Sequence, residues 1–120
     1  MRERRDGERY NISFPIRLQW KDEKGNKMVE EGLTENVSPK GALVYLPRFL
    51  PQVGSTVSLI VTEQAEEVSV TAEVLRLERN AAHPQAALML TKSMRIWKEK
   101  VWEYAGELIA NEKPEEHDEW

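Results

Sequence analysis

The sequence of 120 residues lacks cysteine, which excludes disulfide bonds, thiolate metal ligands and cysteine nucleophiles. Histidine is scarce too, because only His83 and His117 are present, and both are expected to be solvated side chains. No apolar run is long enough to span a bilayer. The charged start at residues 1–5 is not followed by the apolar segment of a signal peptide. We therefore expect a cytoplasmic protein that neither inserts into membranes nor holds a metal ion.

Motifs typical of catalysis are absent from the sequence. There is no phosphate-cradling GxxxxGK[ST], no HExxH and no aspartate-rich calcium loop. The acidic pairs Glu30-Glu31 and Glu66-Glu67 are typical of solvent-facing charges on strands and turns. The sequence thus predicts a protein that is not an enzyme.

Acidic side chains outnumber basic ones, 21 against 17, which gives a net charge of −4. Residues 107–120 alone contain six acidic side chains and one lysine, so the rest of the chain is close to neutral. Binding to a nucleic acid polymer needs many phosphate contacts, and a near-neutral body does not favour it. A small anion held by a local arginine cluster is compatible with this charge distribution.

Alternating apolar residues predict strands in the first part of the chain. Five large apolar side chains alternate with other residues from Ile12 to Trp20, and a polar turn follows at residues 21–26. Residues 28–34 are expected to return as the second strand of a hairpin. Pro15 cannot donate to a strand ladder, so the first strand is predicted to lie at a sheet edge or to turn its prolyl nitrogen outward.

Further short strands are predicted around residues 42–46, 57–61, 68–77 and 85–91. The alternation changes phase at Leu75 and Leu77, which predicts a bulge or a sharp bend. About six strands at close spacing favour a small closed or nearly closed antiparallel barrel.

The hydrophobic period becomes helical near the C-terminus. The apolar stripe that predicts an amphipathic helix consists of Ile96, Trp97, Val101, Trp102, Ala105, Leu108 and Ile109. Ser93 is the predicted N-cap, and the helix should end before Pro114. We expect the helix to cover apolar surface of the barrel, and a stripe with two tryptophans also suggests a homodimer through this helix.

Two segments have side chains suited to binding a ligand. Arg2, Arg4, Arg5 and Arg9 precede the first strand, and guanidinium groups bind phosphates and guanine edges bidentately. Taken alone, this cluster is also compatible with a frayed terminus neutralised by nearby acids. The second segment contains Asn36, Ser38 and Gly41, whose composition alone is common in turns. Gly41 permits either a close backbone approach or a positive φ.

Together, Arg5-x-x-x-Arg9 and Asn36-x-Ser38-x-x-Gly41 resemble the RxxxR and [D/N]xSxxG motifs of the PilZ domain family, the bacterial cyclic di-GMP receptors. The separation of the two motifs fits that family. Residues 9–18 are similar to the family's first strand, and residues 74–76 with 86–89 are similar to its later hairpin. The resemblance covers residues from about 4 to 92, and the predicted helix is similar to the family's C-terminal helix.

The resemblance implies a mainly β fold, namely a six-stranded antiparallel β-barrel of PilZ type with one C-terminal α-helix. The division expected along the chain is a flexible arginine-rich arm at residues 1–10, the barrel at 11–92, the helix at 93–111 and an acidic disordered tail at 112–120.

The resemblance also implies a ligand site on the outer face of the barrel. Arg5 and Arg9 would contact the phosphates and guanines of cyclic di-GMP. Asn36 and Ser38 would read guanine edges or order the loop, and Gly41 would keep the turn open. A basic residue at the position of Arg4 accompanies binding of a stacked cyclic di-GMP dimer in the family, so we expect two nucleotides per site.

The function implied is that of a non-enzymatic cyclic di-GMP effector with no cofactor besides its ligand. Ligand capture would change the surface offered to an unidentified downstream protein in the control of motility, exopolysaccharide or biofilm formation. One alternative is a PilZ-like protein–protein interaction module that binds no nucleotide, which the two complete motifs disfavour. Another is a small barrel for single-stranded RNA or DNA, which the near-neutral body disfavours.

Overall fold

Residues 8–112 are described by a computed structural model of the protein, and residues 1–7 and 113–120 lie outside that range. The strands in the described part are β1 (Tyr10–Asn11), β2 (Pro15–Lys21), β3 (Lys27–Ser38), β4 (Gly41–Tyr45), β5 (Thr56–Val61), β6 (Val68–Glu78) and β7 (Gln85–Lys92). A continuous helical segment follows. It consists of α1 (Met94–Trp97), a π-helical turn (Lys98–Trp102) and α2 (Glu103–Glu112).

Six of the strands form a closed antiparallel barrel. Their order is β3-β2-β5-β6-β7-β4, and pairing of β4 with β3 closes the sheet. The two-residue β1 adds to the free part of β3, where Tyr10 lies opposite Val37. The predicted six-stranded barrel with a C-terminal helix is therefore confirmed, with one short extra strand.

The barrel interior is filled by the inward-facing residues of each strand. In β2, the side chains of Ile16, Leu18 and Trp20 are buried while their neighbours face outward. Burying one such side chain fully contributes about 1.5–3 kcal/mol to folding, so this alternation holds the strand in register. The C-terminal helix adds Trp97 and Val101 to the same core.

Pro15 does not lie on an edge strand, so of the two alternatives predicted for it the first, an edge strand, is wrong. It is the first residue of β2, which lies between β3 and β5. Its carbonyl oxygen accepts a hydrogen bond from the Thr62 N–H at 3.0 Å. The N–H of the preceding Phe14 donates to the Thr34 hydroxyl at 2.8 Å. A proline is tolerated inside the sheet here because it stands at the first position of its strand.

The polar turn between β2 and β3 confirms the predicted hairpin. Asp22 accepts hydrogen bonds from the backbone N–H groups of Asn26 at 2.8 Å and Lys24 at 2.9 Å. The backbone hydrogen bond from Asn26 lowers the pKa of Asp22 below its ordinary value. Gly25 supplies the positive φ of 84° that this turn requires.

The C-terminal helix departs from the predicted uninterrupted α-helix. Trp97 and Trp102 are five positions apart, and the i→i+5 turn at Lys98–Trp102 lets both indoles face the barrel. Ile96 was predicted to belong to the apolar stripe that faces the barrel, but its side chain is 48% exposed. Ser93 stands at the N-cap, but it has a φ of 65° and its side chain makes no capping hydrogen bond. Within residues 8–112, no helix is long and apolar enough to cross a membrane.

Candidate ligand-binding groove

The Asn36–Gly41 motif is a tight hairpin rather than a loop between strands. Asn36 and Ser38 are the last outward-facing residues of β3, Pro39 and Lys40 form the turn, and Gly41 begins β4 opposite Ser38. The Ser38 hydroxyl donates to the Gly41 carbonyl at 3.4 Å across this turn. The strand ladder therefore holds the motif side chains in defined positions.

A bulge in β3 turns the motif toward the outer wall of the barrel. The register shifts between Thr34, which lies opposite Val44, and Asn36, which lies opposite Leu43. Thr34 and Val37 are both fully buried, so an extra residue separates two inward-facing positions. Strict alternation from Thr34 would have placed Asn36 inside the barrel. Because the bulge reverses the phase, the Asn36 side chain faces outward.

Four neighbouring strands form the floor and the far wall of the site. Asn36 lies opposite Leu43, Leu43 opposite Ala87, and Ala87 opposite Arg76 on β6. The register of β6 shifts between Val74 and Arg76, which confirms the predicted bulge and leaves Leu75 exposed. The row thus runs from Asn36 on one side to Arg76 on the other.

Gly41 is required by the close approach of β4 to β7. A Cβ atom at this position would lie 2.3 Å from the carbonyl oxygen of Leu88. In the described residues, only Gly25 and Gly54 are glycines with positive φ. The sequence offered two reasons for a glycine at position 41. The close approach of two backbones is correct, and the positive φ is wrong.

These elements enclose an open groove of about 430 Å³. Its lining consists of Arg9, Asn36, Ser38, Lys40, Gly41, Ala42, Leu43, Leu75, Arg76, Ala87, Leu88 and Met89. Four of the predicted site residues, Arg9, Asn36, Ser38 and Gly41, therefore share one groove. The other two, Arg4 and Arg5, lie outside the described residues.

Several lining residues were not among the predicted site residues. Lys40 occupies an unspecified position of the motif, and its charge was visible in the sequence. Arg76, Leu75 and Met89 come from strands β6 and β7, which are remote in sequence from both motifs. The phase change at Leu75 and the similarity of residues 74–76 and 86–89 to the family's later hairpin were the signals in the sequence that pointed to this wall.

Positive charge dominates the groove. Arg9, Lys40 and Arg76 are its charged lining residues, and no acidic side chain lines it in the described part of the chain. Between described residues, the contacts within 4.0 Å between basic and acidic side chains are Arg17–Glu67 and His83–Glu35, so none of the three cations is paired with an acidic side chain of residues 8–112. The Arg9 Nη1 group donates to the Asn36 Oδ1 atom at 3.1 Å, which uses one of five guanidinium donors.

Two tryptophans of the C-terminal helix hold the two motifs in place. The Trp97 indole N–H donates to the Ser38 carbonyl at 2.7 Å. The Trp102 indole N–H donates to the Glu8 carbonyl at 2.8 Å, and its ring stacks on Tyr10 with centroids 5.4 Å apart. The backbone on both sides of Arg9 is therefore anchored to the helix. These polar contacts were not predicted, because the sequence indicated only packing for the two tryptophans.

The groove can bind an anion that also offers hydrogen-bond acceptors and apolar surface. Three cationic side chains surround a floor of small residues, and Leu75 and Met89 add exposed apolar surface at 48% and 42%. Among residues 8–112, no group of three or more histidine and acidic side chains could hold a metal ion.

Comparison with known proteins shows what the chain is similar to. The family model described as PilZ domain matches residues 3–96. A comparison with curated proteins finds no match.

Solved structures with the same fold include the PilZ domain of YcgR from Escherichia coli with c-di-GMP. That domain is 14% identical, with a TM-score of 0.66 over 97% of this chain and 99% of that chain. The inhibitor of motility MotI/DgrA from Bacillus subtilis is 19% identical, with a TM-score of 0.67 over 92% of this chain and 54% of its own. The present chain thus spans about half the length of MotI/DgrA.

The PilZ domain of CeSA from a cellulose synthesizing bacterium is also 19% identical. Its TM-score is 0.59, over 84% of this chain and 97% of that domain. At these identities the likeness to solved structures concerns the fold.

Proposed function

The chain belongs to the PilZ domain family of cyclic di-GMP receptors, and from that membership we propose that it binds cyclic di-GMP in the groove between β3, β4, β6 and β7. The observation that carries the proposal is the convergence of Arg9, Asn36, Ser38 and Gly41 on one groove without an acidic lining residue in the described chain. PilZ domains are receptors rather than enzymes, and we assign no catalytic role to this protein.

The chemistry of the groove suits a compact ligand with two phosphates and two guanines. The guanidinium of Arg9 can donate two parallel hydrogen bonds to a phosphate or to the O6 and N7 atoms of guanine. Asn36 offers an amide to a guanine edge, and it already orients Arg9 through their shared hydrogen bond. Arg76 and Lys40 provide positive charge from the other sides of the groove.

Arg4 and Arg5 belong to the proposed site on the strength of the sequence motif. Fixing each backbone residue around a ligand costs roughly 1–2 kcal/mol. Each charge-assisted hydrogen bond contributes about 1.5–3 kcal/mol. Binding therefore needs several arginine contacts at once, and a basic Arg4 is consistent with two stacked nucleotides in the groove.

The biological role we propose is that of an effector in the cytoplasm. Bound ligand would connect residues 1–9 to the β3–β4 hairpin and so change the surface offered to a downstream protein. The pathways in question are motility, exopolysaccharide or biofilm formation. A homodimer through the C-terminal helix would use the exposed Met94 and Ile96, because Trp97 and Trp102 are buried within the protomer.

Arg9→Ala is the substitution that tests the proposed site. We expect it to weaken cyclic di-GMP binding by at least about tenfold, which corresponds to about 1.4 kcal/mol. Isothermal titration calorimetry on the wild-type and variant proteins measures this change.

Arg79→Ala is the matched control, because Arg79 is exposed in the turn after β6 and does not line the groove. It should bind cyclic di-GMP as the wild-type protein does, and cyclic di-AMP should bind neither. Equal affinities for the wild-type protein and Arg9→Ala would contradict the proposed site. A wild-type protein that binds no cyclic di-GMP would instead favour a protein interaction module.

A further inference from the structure

The extra residue of the β3 bulge is paired with a histidine from another hairpin. Glu35 occupies the bulge directly before Asn36, and its Oε2 atom lies 2.5 Å from Nε2 of His83. The ring of His83 stacks on Tyr45 of β4, with centroids 4.4 Å apart and planes 9° from parallel. These contacts thus join β3, β4 and the turn between β6 and β7 beside the groove.

We infer that the Glu35–His83 pair is a positioning element for the proposed cyclic di-GMP site, an inference that rests on the proposed function. The pair has two effects. It holds the bulge that turns Asn36 toward the groove, and it keeps the Glu35 carboxylate directed at His83 and outside the groove lining, away from the ligand's phosphates.

The bulge needs a partner because its extra residue has no place in the strand ladder. Thr34 and Asn36 both keep partners on β4, while Glu35 between them has none. A shift of one residue in this part of β3 would turn Asn36 and Ser38 toward the core. A side-chain contact of Glu35 is therefore the means by which the outward phase of the motif is retained.

His83 is well placed to supply that contact. Its backbone N–H donates to the Asn80 carbonyl at 2.9 Å, and the carbonyl of the next residue, Pro84, accepts from the Leu46 N–H at 3.1 Å. The turn between β6 and β7 is therefore tied both internally and to the end of β4. With its ring stacked on Tyr45, His83 presents Nε2 to Glu35 from a defined position.

The solvent exposure of both side chains indicates that the pair positions the bulge and contributes little to the free energy of unfolding. The side chains of His83 and Glu35 are 47% and 30% exposed. Exposed ion pairs contribute little to folding. The consequence of breaking the pair should therefore appear in ligand affinity rather than in the melting temperature.

The charge of Glu35 predicts that the ligand affinity of the double variant differs from the sum of the two single effects. Removing His83 alone leaves Glu35 unpaired beside an anionic ligand, whereas removing both side chains also removes the repulsion. His83→Phe keeps a ring to stack on Tyr45 and deletes only the contact to Glu35. The double variant Glu35→Ala/His83→Phe should bind at least as well as His83→Phe.

Calorimetry and thermal unfolding of the wild-type protein and four variants test the inference. His83→Phe and Glu35→Ala should each weaken cyclic di-GMP binding by roughly 5- to 20-fold, with losses that do not add in the double variant. Glu35→Gln, which can still hydrogen-bond His83, should stay within about twofold of wild type. The melting temperatures of all variants should move by no more than about 4 °C.

A second readout does not depend on the ligand. In ligand-free protein, the backbone amide resonances of Asn36 and Ser38 should shift in His83→Phe, as measured by NMR on ¹⁵N-labelled protein. Unchanged resonances, wild-type affinity in both single variants, or additive losses would overturn the inference. If the wild-type protein binds no cyclic di-GMP, the proposed function fails, and the inference fails with it.

Discussion

At position 41 the backbones of β4 and β7 leave no room for a side chain, because a Cβ atom would lie 2.3 Å from the Leu88 carbonyl oxygen. Gly41→Ala should therefore force the two strands apart. We expect the free energy of unfolding to fall by about 1–3 kcal/mol, the usual cost of overpacking. Urea denaturation followed by tryptophan fluorescence measures this loss.

A glycine in an open turn provides the control for this substitution. Gly25 has positive φ and no atom within 4 Å of a Cβ placed on it, so Gly25→Asn meets no steric clash and should cost only the left-handed backbone conformation, which asparagine tolerates better than most residues. If Gly41→Ala unfolds at the wild-type urea concentration, then β4 and β7 can separate without cost and the packing described here is incorrect.

Residue identity in the two motifs allowed four of the twelve residues that line the groove to be predicted from the sequence. Arg9, Asn36, Ser38 and Gly41 were identified by their resemblance to the PilZ family, and they share one groove. Arg76 and Met89 were not predicted as site residues, because their place beside the motif depends on how β7 pairs with β4 and how β6 pairs with β7. That pairing register is a property of the closed sheet rather than of any local segment.

At the scale of single elements, the two bulges differ in whether the alternation of apolar residues in the sequence predicts them. The bulge at Leu75 was predicted because apolar residues lie on both sides of it. The bulge at Glu35 was not, because Glu35, Asn36 and Ser38 are polar and carry no phase of their own. The more important of the two bulges for the site is thus the one that the sequence does not signal.

The C-terminal helix was predicted by its period, but its π-helical turn was not. The turn at Lys98–Trp102 has a tertiary cause, since it lets two indoles five positions apart reach the same wall and donate to Ser38 and Glu8. A single-element pattern contains no information about those carbonyl partners.

Trp97→Phe tests this link between helix and site. Phenylalanine keeps an aromatic ring in the core but leaves the Ser38 carbonyl without its indole donor. We expect the free energy of unfolding to fall by about 1–3 kcal/mol and the affinity for cyclic di-GMP to fall with it. Denaturant unfolding and calorimetry measure the two quantities.

Trp20→Phe is the matched comparison, because Trp20 is also a core tryptophan but lies on β2 and lines no part of the groove. It should lose stability through reduced packing while keeping its affinity for the ligand. Equal effects of both substitutions on affinity would contradict a specific role for the Trp97–Ser38 hydrogen bond.

At the scale of the whole molecule, the barrel presents a rigid wall and the helix gathers the two motifs onto it. The closed sheet sets the row from Asn36 to Arg76, and the indole contacts anchor Glu8 and Ser38 near the Asn36 end of that row. A ligand that engages Arg9 and Asn36 together would therefore act on the barrel and the helix at once. This arrangement is consistent with a receptor whose output is a changed surface.

An NMR titration of the ¹⁵N-labelled protein with cyclic di-GMP reports both whether the ligand binds and where it binds. We expect the amide resonances of Asn36, Ser38, Gly41 and Ala87 to shift in a saturable manner. Those of residues 48–53, on the loop between β4 and β5, should stay in place. A spectrum that does not change, or one whose shifts fall on that loop and spare the groove, would contradict the proposed site.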